Sequence, residues 1–174
     1  KKIIRSISCI NPQRIFGADV MSRIDFCRNN GTEQLQNVLL EEINKMIDKI
    51  NVTGVKKLFV AGNTTMLHLF FGIDCSSMGV SPYTPAFLES QKIVSYKING
   101  VKEIISLPCI HTFVGADIVA GLNFADKPEK GKYNLLVDLG TNAEIALFSK
   151  DNIFCTSAAA GPCFEGANIT CGMN

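Results

Sequence analysis

The 174-residue chain sets 17 Lys and Arg against 16 Asp and Glu, a formal charge of +1, so electrostatics makes no case for nucleic acid or an acidic membrane surface. Apolar residues reach 47% and mean hydropathy lies just above zero, which excludes a disordered chain. No apolar run approaches a membrane span and no secretory signal pattern opens the chain, so a cytoplasmic protein with no membrane partner is expected.

Lys1 to Ile10 alternates imperfectly and stops at Asn11-Pro12, a pattern that predicts a strand and a turn. A sheet seldom starts that way with nothing before it, so the chain is expected to start inside a domain. Val20, Ile24 and Cys27 then recur at helical spacing, with Asp19 and Arg23 placed for an i,i+4 pair. Gly31-Thr32 interrupts this helix, and Thr32 is positioned to cap the next one, with Glu33 in its first turn. Leu35, Val38, Leu39, Ile43, Met46, Ile47 and Ile50 form the clearest apolar stripe, read as core.

Leu58 to Ala61 reads as a strand buried on both faces. It leads into Gly62-Asn63-Thr64-Thr65 and a helical Met66 to Phe70. That order puts Asn63, Thr64 and Thr65 at the carboxyl edge of a sheet, where open α/β sheets bind ligands; a plain helix N-cap explains the same residues. His68, inside an apolar helix, is read as a satisfied core histidine. Ile93 to Ile98 and Val101 to Leu107 flank Asn99-Gly100, a strong hairpin signal. A helix over 112–122 would carry Asp117 in its first turn, where the helix dipole also favours a carboxylate. Asp126 to Lys132 reads as a connector.

The most informative stretch follows. Leu135 to Val137 is a strand delivering Asp138, Gly140 and Thr141 turn the chain, and Ile145 to Phe148 returns beside the first strand. Such a tip suits a nucleoside triphosphate. Gly140 permits close backbone approach, turn N–H groups and the Thr141 hydroxyl can donate to phosphate, and Asp138 can hold Mg²⁺ through water. An ordinary hairpin turn is the competing reading. A third strand, Ile153 to Ser157, leads into Gly161-Pro162 and Phe164-Glu165-Gly166, where Glu165 can join a magnesium or phosphate network or cap its own backbone. Seven cysteines (Cys9, Cys27, Cys75, Cys109, Cys155, Cys163 and Cys171) form no C-x-x-C pair. They are read as reduced, buried thiols, without metal.

Five ordered segments together resemble one family. They are Asn11-Pro12-Gln13 with Gly17-Ala18-Asp19-Val20 and Arg23-Ile24; Ala61-Gly62-Asn63-Thr64-Thr65-Met66; Val114-Gly115-Ala116-Asp117; Val137-Asp138-Leu139-Gly140-Thr141-Asn142 with Glu144; and Ala159-Ala160-Gly161-Pro162 with Phe164-Glu165-Gly166-Ala167 and Gly172-Met173. The family is that of the ATP-dependent reductive activators of corrinoid proteins, within the actin-like, sugar-kinase and heat-shock-chaperone ATPase superfamily. The resemblance implies an α/β, actin-like (ribonuclease H-like) ATPase fold present in part. Residues 1–130 would be the rear of the first subdomain and 131–174 the start of the second, a fragment of a longer parent.

It further implies ATP and Mg²⁺, a [2Fe-2S] cluster on an amino-terminal domain absent from this chain, and a corrinoid protein of a methyl-transfer system as partner, with room for a homodimer. Asp138, Gly140, Thr141 and Asn142 match the second phosphate turn of the family, and Asp138 would hold the magnesium. Asp117 stands where related kinases place a general-base aspartate. Asn63, Thr64, Thr65, Gly161 and Glu165 are the remaining candidate nucleotide contacts. Rival readings are a small-molecule kinase of the same superfamily, a radical-enzyme activase bridging a cluster through Cys155, Cys163 or Cys171, and a docking scaffold without catalysis.

Overall fold

The structure, a computed structural model, describes residues 3–94 and 97–161. Helix α1 (Val20–Asn30) starts at Asp19, whose carboxylate accepts the Ser22 amide while the Ser22 hydroxyl accepts the Asp19 amide, a reciprocal cap. Asp19 therefore serves its own helix end and forms no salt bridge with Arg23. Helix α2 (Glu33–Ile50) follows, and the expected Thr32 side-chain cap is absent. The Thr32 hydroxyl donates instead to the Gly72 carbonyl at 3.1 Å, tying α2 to the far end of α3 (Thr64–Phe71).

The first sheet has the order β1-β3-β2, with β1 at Lys57–Val60, β2 at Lys92–Val94 and β3 at Glu103–Ser106. β1 runs parallel to β3 with Leu58 beside Ile104, and β2 runs antiparallel to it with Ile93 beside Ile104. The predicted hairpin is real but short. The all-buried expectation for β1 fails because β1 pairs only with β3, at the sheet edge among the described residues, and Phe59 stays 64% exposed. The apolar stripe of α2 is likewise only half covered. Leu35 and Leu40 are buried, while Leu39, Ile43 and Ile47 lie against the cluster formed by Leu40, Phe70, Ile98, Val101 and Ile104.

Residues 3–10 form no strand. Ile4 is 84% exposed, and the segment is held by side chains, with Arg5 donating to the Ile50 carbonyl at 2.6 Å. Alternation alone does not make a strand where no edge is offered for pairing. The helix expected from Thr112 starts later. The Ile110 and His111 amides both donate to the Val114 carbonyl, so the chain bends back before α4 (Ala116–Phe124) begins.

The second sheet is an antiparallel meander, β4 (Asn134–Leu139), β5 (Asn142–Phe148) and β6 (Ile153–Ala159). Helix α4 joins the two sheets. Val114 and Ile118 pack on Ala146, Leu136 and Cys155 of the meander, while the Ala116 and Asp117 amides both donate to the Gly62 carbonyl at the end of β1. No helix among the described residues is long and apolar enough to cross a membrane.

His68 is fully buried and satisfied, as expected. Its Nδ1 bonds the Thr64 carbonyl at 2.8 Å, its Nε2 accepts the Ala86 amide at 3.0 Å, and its ring stacks on Phe87 at 4.2 Å. Burial holds its pKa below the usual histidine value, against the Thr64 carbonyl and the Asp74 charge. The folded state thus binds fewer protons here than the unfolded chain, and stability rises with pH. The contribution is complete above the unfolded value of about 6.5 and is lost as pH falls through the lower folded value. Urea midpoints should decline more steeply from about pH 7.5 to about pH 5 in the wild type than in His68→Phe; parallel profiles would remove His68 as the cause.

Candidate functional site

The site is built where the two sheets meet. The β1–α3 turn enters from one side. Asn63 caps α3, its Oδ1 accepting the Met66 amide at 2.9 Å, and Gly115 packs directly on this turn. A Cβ at Gly115 would lie 2.5 Å from the Asn63 Cα and 2.8 Å from both the Gly62 carbonyl oxygen and the Thr64 nitrogen. That contact between two backbones sets the distance between Asp117 and the Asn63 turn. Thr64 points away: it is fully buried and its hydroxyl donates to the His111 carbonyl at 2.7 Å. Thr65 faces the cleft.

From the other side comes the β4–β5 tip. Asp138 and Glu144 stand directly opposite each other across the two strands. The Gly140 amide is already given to the Asn142 carbonyl at 2.9 Å, so it is not the free phosphate donor that the motif suggested. The Thr141 carbonyl accepts the Ala160 amide at 3.2 Å and the Gly161 amide at 2.9 Å. Gly161 therefore pins the tip to the end of β6, using the N–H group that a ligand would have taken. Space beside Gly140 is open, its nearest prospective Cβ contact being 3.6 Å away. Glu165 lies outside the described residues, as do Cys163 and Cys171. Cys155 lies on β6 facing α4, with its thiol pushed up by burial.

Between these elements lies a cleft of about 250 Å³ lined by Asn63, Thr65, Phe113, Asn142, Glu144 and Ser157 among others. A second cavity of about 270 Å³, with Asn63 and Asn142 in its wall too, reaches to Asp19, Arg23 and Thr141. Asn63, Thr65, Thr141 and Asn142 thus come together from separate parts of the sequence; Thr64 does not join them. Glu144 and Ser157 were missed as site residues. Glu144 was legible only in part. It lies on the strand returning from the tip, but it stands across from Asp138 because three residues, Gly140 to Asn142, connect the strands; a two-residue turn at Gly140-Thr141 would have put Ala143 there instead. Ser157 was not, since only the β5–β6 register brings its hydroxyl to Glu144 at 3.1 Å.

Of three carboxylates near this joint, Glu144 lines the cleft, whereas Asp117 and Asp138 line neither cavity but lie near enough to act on Glu144 by charge. Burial holds Asp117 above the usual carboxylate range, the Ile118 amide opposes this, and the Asp138 charge adds to it. Burial also raises Glu144, the Ser157 hydroxyl works against the rise, and the charges of Asp117 and Asp138 reinforce it. No Lys or Arg salt bridge relieves any of the three among the described residues. They do not form a three-carboxylate metal cage there either. Such a site suits Mg²⁺, which is bound by one or two carboxylates, its own waters and substrate phosphates.

The comparisons with known proteins agree with this architecture. A family model described as the RACo middle region matches residues 1–127, and one described as the C-terminal domain of RACo, the ASKHA domain, matches residues 132–174. The chain belongs to the RACo family, the reductive activators of corrinoid proteins. It is 33% identical over 184 residues to the corrinoid activation enzyme RamQ of Eubacterium limosum, a match covering 98% of this chain and 30% of that protein. To a Co(II) methylated amine-specific corrinoid protein reductase of Methanosarcina barkeri it is 31% identical over 172 residues, covering 90% of this chain and 32% of the relative. A solved structure of a reductive activator for a corrinoid, iron-sulfur protein superposes with a TM-score of 0.78 at 35% identity, covering 94% of this chain and 28% of that one. The chain spans about a third of the length of these curated relatives.

Proposed function

We propose that this chain forms part of the nucleotide cleft of an ATP-dependent reductive activator that returns an inactivated Co(II) corrinoid protein to Co(I). The observation that carries this reading is the convergence of the Asn63 turn, the Thr141–Asn142 tip and the carboxylates Asp117, Asp138 and Glu144 at the joint between two sheets. The family relationship supports it, and the names of the relatives supply the corrinoid substrate class. Residues 1–130 would belong to the first actin-like subdomain and 131–174 to the second. Electrons would come from a [2Fe-2S] cluster elsewhere in the full-length protein, and a methyl-transfer corrinoid protein would be the partner.

Mg²⁺, when bound, would neutralise phosphate charge and offset the repulsion among the three carboxylates. Asp138, exposed at the tip, would hold it through water, with Glu144 behind it. Asp117 would act as a base at the α4 start, its raised pKa bringing it nearer the working pH. Thr65, Thr141, Asn142 and Asn63 would contact the nucleotide, and Gly161 would act through its hold on the tip. Closure of the cleft on ATP would favour one arrangement of the two subdomains over the other, which is how a ligand drives an unfavourable electron transfer.

The test uses the full-length protein with a Co(II) corrinoid protein and a reductant. Co(I) formation, followed by its absorption, should require hydrolysable ATP and Mg²⁺. ATP turnover coupled to phosphorylation of a small molecule, with no corrinoid reduction, would favour the kinase alternative instead.

A further inference from the structure

The cavity beside the start of α1 holds a buried cation that the reading above leaves without a task. Arg23 is 8% exposed and stands in the cavity wall with Asp19, Asn63, Met66, Thr141 and Asn142. Its Nε donates to the Gly17 carbonyl at 3.0 Å and its Nη2 to the Ala18 carbonyl at 3.4 Å. Arginine has five N–H donors, so most of the fork remains over. Among the described residues no carboxylate forms an ion pair with it. The nearby Asp19 attracts it through space, but that carboxylate is turned to Ser22, accepting its amide at 2.8 Å and its hydroxyl at 2.7 Å.

A buried charge without a bonded counter-charge is costly, and an anion reaching it would relieve that cost. The two carbonyls fix the guanidinium without neutralising it. Its seat is rigid as well: a Cβ on Gly17 would come within 2.8 Å of the Arg23 nitrogen, so loop and helix start are in direct backbone contact. A planar fork held in this way suits two oxygens of one phosphate, which a lysine cannot grip at once.

We infer that Arg23 is a nucleotide-binding residue that takes the terminal phosphate of the nucleoside triphosphate, opposite the Thr141–Asn142 tip. This rests on the nucleotide reading above and adds to it a specificity for triphosphate over diphosphate. Arg23 lies outside the phosphate-turn motifs and reaches the tip only through the packing of α1.

The experiment measures ATP and ADP affinity by titration calorimetry on the full-length protein, for the wild type, Arg23→Gln and Arg23→Lys. Losing a charge-assisted bond to phosphate should weaken ATP by about tenfold to a hundredfold while ADP changes by less than about threefold. Arg23→Lys should fall between, because it keeps the charge and loses the fork. ATP affinity unchanged in both variants, with wild-type binding intact, would overturn the assignment of Arg23 alone. So would an equal loss for ATP and ADP, which marks a merely structural role. Wild-type protein that binds neither nucleotide would overturn the nucleotide reading itself. If Arg23→Gln does not fold, Arg23→Lys carries the same ATP-to-ADP comparison.

Discussion

Asp117→Asn in the full-length protein is expected to lower ATP hydrolysis and corrinoid reduction by about 10²–10⁴-fold while ATP affinity persists. The side chain lies in the first turn of α4, and its Oδ1 accepts the Ile118 amide at 2.9 Å, a bond that an asparagine oxygen can also accept. An amide cannot take a proton, so a base is lost and a cap retained. Stability supplies the control. Burial raises the folded pKa of Asp117, so the protonated form is favoured by folding. Its contribution is fully present below the unfolded value and is lost as pH rises through the folded one. At neutral pH the ionised carboxylate is therefore a cost, and Asn should melt at the same temperature or higher. Turnover within about threefold of wild type, beside an unchanged melting curve, would assign Asp117 to the helix end and leave the base elsewhere.

The second large effect is steric. Gly115→Ala should destabilise the protein by about 1–3 kcal/mol, because the new Cβ meets backbone on three sides and backbone cannot rotate away. For a chain of this size each kcal/mol lowers Tm by roughly 2–4 °C. Catalysis should fall too, since the only relief is retreat of the α4 start from the Asn63 turn, carrying Asp117 with it. Gly115 has φ −94°, so the penalty comes from contact alone, not from a glycine-only backbone. Gly140→Ala is the matched comparison: its nearest contact would be an ordinary 3.6 Å, and its melting temperature should stay near that of the wild type. Equal stability of Gly115→Ala and wild type would mean that the α4–Asn63 approach is not tight in solution.

Local chemistry made several features legible from residues alone. Asn63 ahead of an apolar helix caps it, the Gly140-Thr141 pair turns a hairpin, and His68 amid apolar neighbours is core. Each depends on neighbours a few residues away, and short-range rules reach that far. The ordered motifs likewise carried the family, which the comparisons show. Reading failed where a group had two partners to choose from. Thr32 could cap its helix but finds the Gly72 carbonyl; Asp19 could pair with Arg23 but closes a cap with Ser22; residues 3–10 alternate but meet no strand.

The site shows the same division. Sequence alone put Asp138 at the carboxyl end of one strand, ahead of a turn into the next, while the three-residue connection that sets Glu144 across from it came from the structure. Only the tertiary structure decided that Thr64 turns inward, that the Gly161 amide is already given to the Thr141 carbonyl, and that Arg23 stands beside a turn 118 positions later in the chain, at Thr141. They arise from long-range contacts: the β5–β6 pairing, the packing of α1, and the approach of α4 to the Asn63 turn through the Gly62 carbonyl and the Gly115 contact. Contacts between distant segments compete for the same donors and acceptors, and no local pattern records which of them wins.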